Sequence, residues 1–202
     1  MCTYLGASTQ LEPDDLDLSM VQQTKVLYLE GYLWDSPAAK RAFIAGAEAC
    51  RAAGGQVALS LSDGFCVDRH RESFLDLVNG HVDVLFANEA EIKSLYQTDD
   101  FDAALQQVRG CCAVIAITRA GQGSVVLSGD QRWDIGIFSL GALVDTTGAG
   151  DLYAGGFLHA YTQGDSLERC GQLGALGAGQ IVTQLGARSQ VCLKELMVTH
   201  LN

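Results

Sequence analysis

Residues 144–158 read VDTTGAGDLYAGGFL. Two aspartates, Asp145 and Asp151, bracket Gly148, Ala149 and Gly150, and an apolar stretch follows. The preceding SLGAL is extended in character and AGDLYAGGFLHAYTQ is helical, so the loop feeds a helix start. Glycines at 148 and 150 let backbone N–H groups approach a ligand. The first helical turn adds unpaired N–H donors and the positive end of the helix dipole. Together these make an anion hole. A loop that only binds phosphate has no use for the fixed negative charge of Asp151. A loop in which an alcohol must lose a proton beside a transferring phosphoryl group does. The alternative is that Asp151 caps the helix and the glycines make a tight turn.

Two other phosphate loops do not fit. A P-loop needs G-K-[ST] after its glycines, and none occurs here. A dinucleotide fingerprint needs a third glycine at 153, where Tyr153 stands, and an acidic residue ending a following strand, whereas the chain beyond 151 reads as helical.

Upstream, KVLYLEGYL (25–33), QVALSLS (56–62), VDVLFAN (82–88) and AVIAIT (113–118) read as buried strands. Between them lie helical segments: 36–55, where Ser36 caps, Pro37 takes the first position and Gly54-Gly55 end the helix, then 68–80, 89–97 and 101–110. SVVLSG and RWDIGIF form a hairpin across Gly129-Asp130. Two helices, about 149–163 and about 167–185, complete the chain, and residues 1–24 are polar and turn-like after TYLGAS. Strand and helix alternation with short connections predicts an α/β fold with a mostly parallel sheet covered on both faces. No linker or repeat divides the 202 residues, which predicts one domain.

The formal net charge of −11 argues against nucleic acid or an anionic membrane as partner, and no apolar segment is long enough to span a bilayer. The start has neither the basic nor the apolar region of a signal peptide. Seven cysteines, Cys2, Cys50, Cys66, Cys111, Cys112, Cys170 and Cys192, include no CxxC, and His70, His81, His159 and His200 have no metal-ligand spacing. Free thiols in a reducing cytoplasm are expected.

DTTGAGD resembles the signature of the ribokinase-like carbohydrate and nucleoside kinases, close to D-T-x-G-A-G-D. The resemblance implies that Asp151 is the catalytic base and that Gly148, Ala149 and Gly150 form the anion hole, with ATP as phosphoryl donor. FANEAEI (86–92) is similar to the family's N-x-x-E motif and implies that Asn88 and Glu91 hold hydrated Mg²⁺ beside the triphosphate. The same two residues equally suit a reciprocal helix cap. ITRAGQGSVV resembles the family's T-x-G-x-x-G nucleotide segment, placing Thr118, Gly121 and Gly123 at the nucleotide, with Ala120 where glycine is usual. LGALGAGQIVTQLGARS resembles the helix and turn beside adenine. There Ala175, Ala178 and Gly179 leave room for a flat ring and Val182 offers apolar contact, unless these small residues serve helix packing. Asp145 and Thr147, with the turn at Gly186, are the implied neighbours of a monovalent cation such as K⁺.

The resemblance runs from about 25 to 189, nearest the adenosine-kinase branch, and implies a three-layer, doubly wound α/β sheet. TYLGAS stands where that branch ends a β-strand lid, so residues 1–24 read as lid remnant and linker, and 25–189 as the nucleotide-side core. The family's sugar-binding glycines lie further upstream. The chain is therefore expected to be the C-terminal part of a longer kinase, poor at transfer alone and prone to self-association, as a homodimer or larger, through an uncovered sheet edge. The implied acceptor is a primary hydroxyl of a sugar or nucleoside. A nucleotide-binding module without a substrate site is the alternative.

Overall fold

The computed structural model describes residues 4–201. The expectations for Cys2 and for the first residue of TYLGAS lie outside them. Six strands form one sheet in sequential order: β1 (Val26–Glu30), β2 (Gln56–Ser60), β3 (Val84–Asn88), β4 (Val114–Thr118), β5 (Ser124–Ser128) and β6 (Gln131–Ile135). The fold is the expected mostly parallel α/β one. The chain divides into two compact units whose boundary, between Ile115 and Ala116, falls inside β4.

In the first unit β1, β2 and β3 pair in parallel, with Val26 opposite Gln56 and Ala58 opposite Val84. Parallel strands covered on both faces need continuous apolar runs, and the first four residues of β3 are all buried. After the single turn α1 (Leu18–Val21), helix α2 (Pro37–Ala52) starts as its sequence dictates: the Ser36 hydroxyl accepts the Ala39 N–H and Pro37 is the first residue. It buries Ala39, Ala42, Phe43, Gly46, Ala47 and Cys50, one stripe at helical spacing. Helices α3 (Gly64–His81), α4 (Glu89–Tyr96) and α5 (Phe101–Val108) complete the unit.

Two expectations are corrected here. Residues 31–33, predicted to continue the first strand, belong to a 3-10 turn over Gly31–Asp35. Trp34 causes it: the ring is 2% exposed, packed 5.6 Å from Phe43 and 5.5 Å from Phe74, and an extended chain could not turn it inward. Of TYLGAS, Gly6–Ser8 lie in a 3-10 turn over Gly6–Gln10. There Ser8 and Thr9 donate their hydroxyls to the carbonyls of Leu5 and Gly6, the local bonding that competes with sheet pairing. The helix expected from residue 68 starts at Gly64, because Asp63 accepts the Phe65 N–H, and it kinks at His70.

In the second unit β5 and β6 form the predicted antiparallel hairpin, Ser124 opposite Ile135 and Ser128 opposite Gln131. Helices α6 (Ala149–Gln163) and α7 (Leu167–Ile181) cross at backbone contact: a Cβ on Gly156 would stand 2.6 Å from the Leu173 carbonyl oxygen, and one on Gly174 2.8 Å from that of Tyr153. Tyr153 is buried and donates its hydroxyl to Ser124, at 2.8 Å. Helix α7 ends at Ile181 rather than 185, since the Val182 carbonyl is taken by the Val144 and Asp145 N–H groups. The expected last helix is followed by another, α8 (Leu193–His200), which lacks a side-chain cap and so has no start signal in the sequence. Among the described residues no helix is long and apolar enough to cross a membrane.

Candidate active site

Gly148 is the N-cap of α6, so Ala149, Gly150 and Asp151 are its first three residues. Asp151 is therefore not the cap, and the capping alternative for it fails. No side chain caps this start. The Ala149 N–H donates to the Thr146 carbonyl at 3.1 Å, and the Leu152 N–H makes the first intrahelical bond, to Gly148 at 2.9 Å. That leaves the Gly150 and Asp151 N–H groups pointing out of the helix start, beside an exposed carboxylate. The donors differ from the expected set in this respect, because Ala149 is already committed.

The loop before the helix is held from behind. The Asp145 carboxylate accepts the Thr147 N–H (2.9 Å) and hydroxyl (2.7 Å) with one oxygen and the Gly186 N–H (3.0 Å) with the other. These bonds, Gly186 first, hold its carboxyl below the usual carboxylate range. Gly148 lies against Ala187 so closely that a Cβ would sit 2.7 Å from the Ala187 Cβ. Asp145, Thr147 and Gly186 are thus together as expected, joined to each other by hydrogen bonds. Ala187, which shapes the same turn, carries no sequence signal, since the Gly148 it abuts is about forty residues away.

Thr118 ends β4, and residues 119–123 close a turn in which the Arg119 N–H donates to the Gly123 carbonyl at 2.7 Å. Ala120, where the related motif has glycine, keeps a left-handed backbone at φ +47°. A side chain there costs about 1–2 kcal/mol, against about 0.5–1 kcal/mol of extra chain entropy for glycine. Ala120→Gly is therefore expected to raise unfolding free energy by about 0.5–1 kcal/mol. Urea denaturation checks this, and a loss of stability would mean the left-handed strain is relieved elsewhere.

Several glycines of α7 lie against close neighbours. Gly177 backs onto Leu152, Gly171 onto Ile135 and Val126, and a Cβ on Gly179 would collide with the Phe138 carbonyl. Ala175 is buried, Ala178 half-buried, and Val182 is the helix cap. The close approach of Phe138 accounts for glycine at 179.

In the first unit, Asn88 ends β3 and caps α4. Its side-chain oxygen accepts the Glu91 N–H at 2.8 Å, while Glu91 accepts the Asn88 N–H (2.9 Å) and side-chain amide (2.6 Å). This is the reciprocal cap that the sequence left open. Glu91 is 6% exposed, and burial pushes its carboxyl up to about 7 despite the Asn88 N–H, with Asp63 and Glu30 adding like charge. The folded state thus holds this proton to higher pH than the unfolded chain, whose carboxyl titrates near 4.5. The resulting stabilisation is complete below about 4.5 and is lost as pH rises through about 7. Measured as the stability difference between parent and Glu91→Gln, the parent's relative stability should fall by up to about 3 kcal/mol across this window. A flat difference would show that Glu91 is ionised throughout. Among the described residues no three His, Cys, Asp or Glu side chains gather as a metal site.

Comparison with known proteins agrees with this architecture. The crystal structure of an adenosine kinase from Sinorhizobium meliloti superposes with a TM-score of 0.92 at 47% identity, covering 95% of this chain and 59% of that one. A probable sugar kinase from Rhizobium etli gives 0.92 at 46%, over 95% and 58%. A nucleoside kinase from Methanocaldococcus jannaschii is 32% identical over 126 residues, 60% of this chain and 39% of that protein. The chain thus spans well under two thirds of the length of these relatives. The model of the pfkB family of carbohydrate kinases matches residues 1–194. On that match, and on the fold and helix-start loop that accompany it, the chain belongs to the pfkB carbohydrate kinase family.

Proposed function

We propose that the protein acts in ATP-dependent transfer of a γ-phosphoryl group to a primary hydroxyl of a sugar or nucleoside, an adenosine-like nucleoside first. The observation that carries this reading is the uncapped start of α6, where two outward N–H groups stand beside the exposed Asp151 carboxylate. Asp151 takes the proton of the attacking hydroxyl. The Gly150 and Asp151 N–H groups stabilise charge on the transferring phosphoryl oxygens, acting from a preformed position. The Asp145 clamp and Ala187 keep that position fixed. Thr118, Gly121 and Gly123 form the turn that receives the nucleotide.

Magnesium, when bound, neutralises the triphosphate. Both Glu91 oxygens are turned into the cap, so direct ligation by Glu91 does not fit this arrangement. Exposed Asn88 fits contact through metal-bound water. A K⁺ ion at the Asp145–Thr147 turn would have to use lone pairs left over from the clamp. A cytoplasmic setting belongs to the same proposal.

Titration calorimetry with Mg-ATP, followed by phosphoryl-transfer assays from ATP across nucleosides and sugars, tests the reading. Binding and transfer are expected. Binding without transfer to any acceptor would leave a nucleotide-binding module, and no binding would overturn the nucleotide site.

A further inference from the structure

Gln180 lies on α7 and is 5% exposed. Its amide nitrogen donates to the Gln184 side-chain oxygen at 2.9 Å. Its own side-chain oxygen finds no donor among the described residues. A reversed amide does not cure this. The Gln184 oxygen also accepts the Gln190 N–H (3.1 Å), and the Gln184 nitrogen donates to the Arg188 carbonyl (2.6 Å). Two backbone groups thus fix which way the Gln184 amide faces, and Gln184 fixes Gln180. A buried lone acceptor is destabilising, and an apolar side chain of similar size would avoid it.

What this amide chain orders is the turn over 182–190, and that turn holds the glycine loop. The Val182 carbonyl accepts the Val144 N–H at 2.8 Å, the Gly186 N–H binds Asp145, and Ala187 abuts Gly148. We infer that Gln180 and Gln184 are positioning residues for the 145–151 loop, acting through the turn that carries Gly186 and Ala187. The inference deepens the phosphoryl-transfer reading by naming what sets the anion hole.

The test uses Gln180→Met and Gln184→Met, with amide hydrogen exchange read at Thr147, Ala149 and Gly186, thermal melting, and Mg-ATP titration. Positioning predicts opposite signs in Gln180→Met: Tm unchanged or raised as the lone acceptor disappears, with exchange at the three amides about five- to tenfold faster, the scale of one lost hydrogen bond. Mg-ATP affinity should weaken in step. A residue that merely packs the helix would lower Tm and speed exchange along the whole of α6 and α7, and that result overturns the inference. Unchanged exchange at the three amides in Gln180→Met overturns it too, whether or not Gln184→Met folds. If the parent binds no Mg-ATP, the phosphoryl-transfer reading fails while the exchange result still decides the positioning role.

Discussion

Asp151→Asn is expected to lower kcat by about 10²–10⁴-fold, the usual contribution of a positioned general base, with Mg-ATP affinity nearly unchanged. That range corresponds to about 3–5.5 kcal/mol of transition-state stabilisation. Asparagine is almost isosteric, and the residue is exposed at the third position of α6, where no side chain bonds to it among the described contacts. The fold and the outward N–H groups should therefore survive. Loss of one negative charge beside the phosphate site should, if anything, favour the nucleotide slightly. Steady-state kinetics with Mg-ATP and the preferred hydroxyl acceptor, paired with calorimetric titration, separate the two effects. A variant within about threefold of the parent kcat would remove Asp151 from the proton transfer. A parallel loss of ATP affinity would instead mean that the carboxylate shapes the loop.

The largest stability effect is expected at Gly123. Its backbone sits at φ +86° and ψ −136°, a region that residues with a Cβ rarely enter, and a Cβ there would collide with the Ile135 carbonyl oxygen. Ile135 is the register partner of Ser124, so relief must break the first pair of the β5–β6 hairpin. Gly123→Ala should cost about 3–5 kcal/mol, combining backbone strain with steric repair. Gly129→Ala at the hairpin tip is the control: φ is +53° and nothing lies within 4 Å of the added Cβ, so only left-handed strain is added, and net of the lower chain entropy of alanine the loss is about 0.5–1 kcal/mol. Denaturant unfolding of both variants decides. Equal losses would show that the contact with Ile135 yields by a small shift.

Local patterns carried much of this molecule. Ser36-Pro37 before an apolar stripe located α2 because capping and proline geometry act within a few residues. Gly129-Asp130 between two alternating runs located the hairpin for the same reason. The glycines and aspartates of 145–151 located the helix-start loop, because a close backbone approach leaves few residue choices. Where local signals gave two answers, they could not choose. Asn88 and Glu91 suited a metal site and a cap alike, and the structure adds that the cap bonds form, both Glu91 oxygens accepting from Asn88.

Elements whose cause is distant in the chain were missed or misjudged. The strand predicted over 25–33 stops at Glu30 because Trp34 must reach Phe43 and Phe74, the latter forty residues on. The approach of Phe138 to Gly179, about forty residues apart in the chain, was likewise not legible locally. By itself the sequence determined strand and helix order, the capped starts and the chemistry offered at 145–151, since each depends on backbone preferences over a turn or two. Only the tertiary structure decided that Asp145 is spent clamping that loop to Gly186 and that Ala187 stands behind Gly148, because those outcomes depend on groups about forty residues apart meeting through the same hydrogen bonds and the same space.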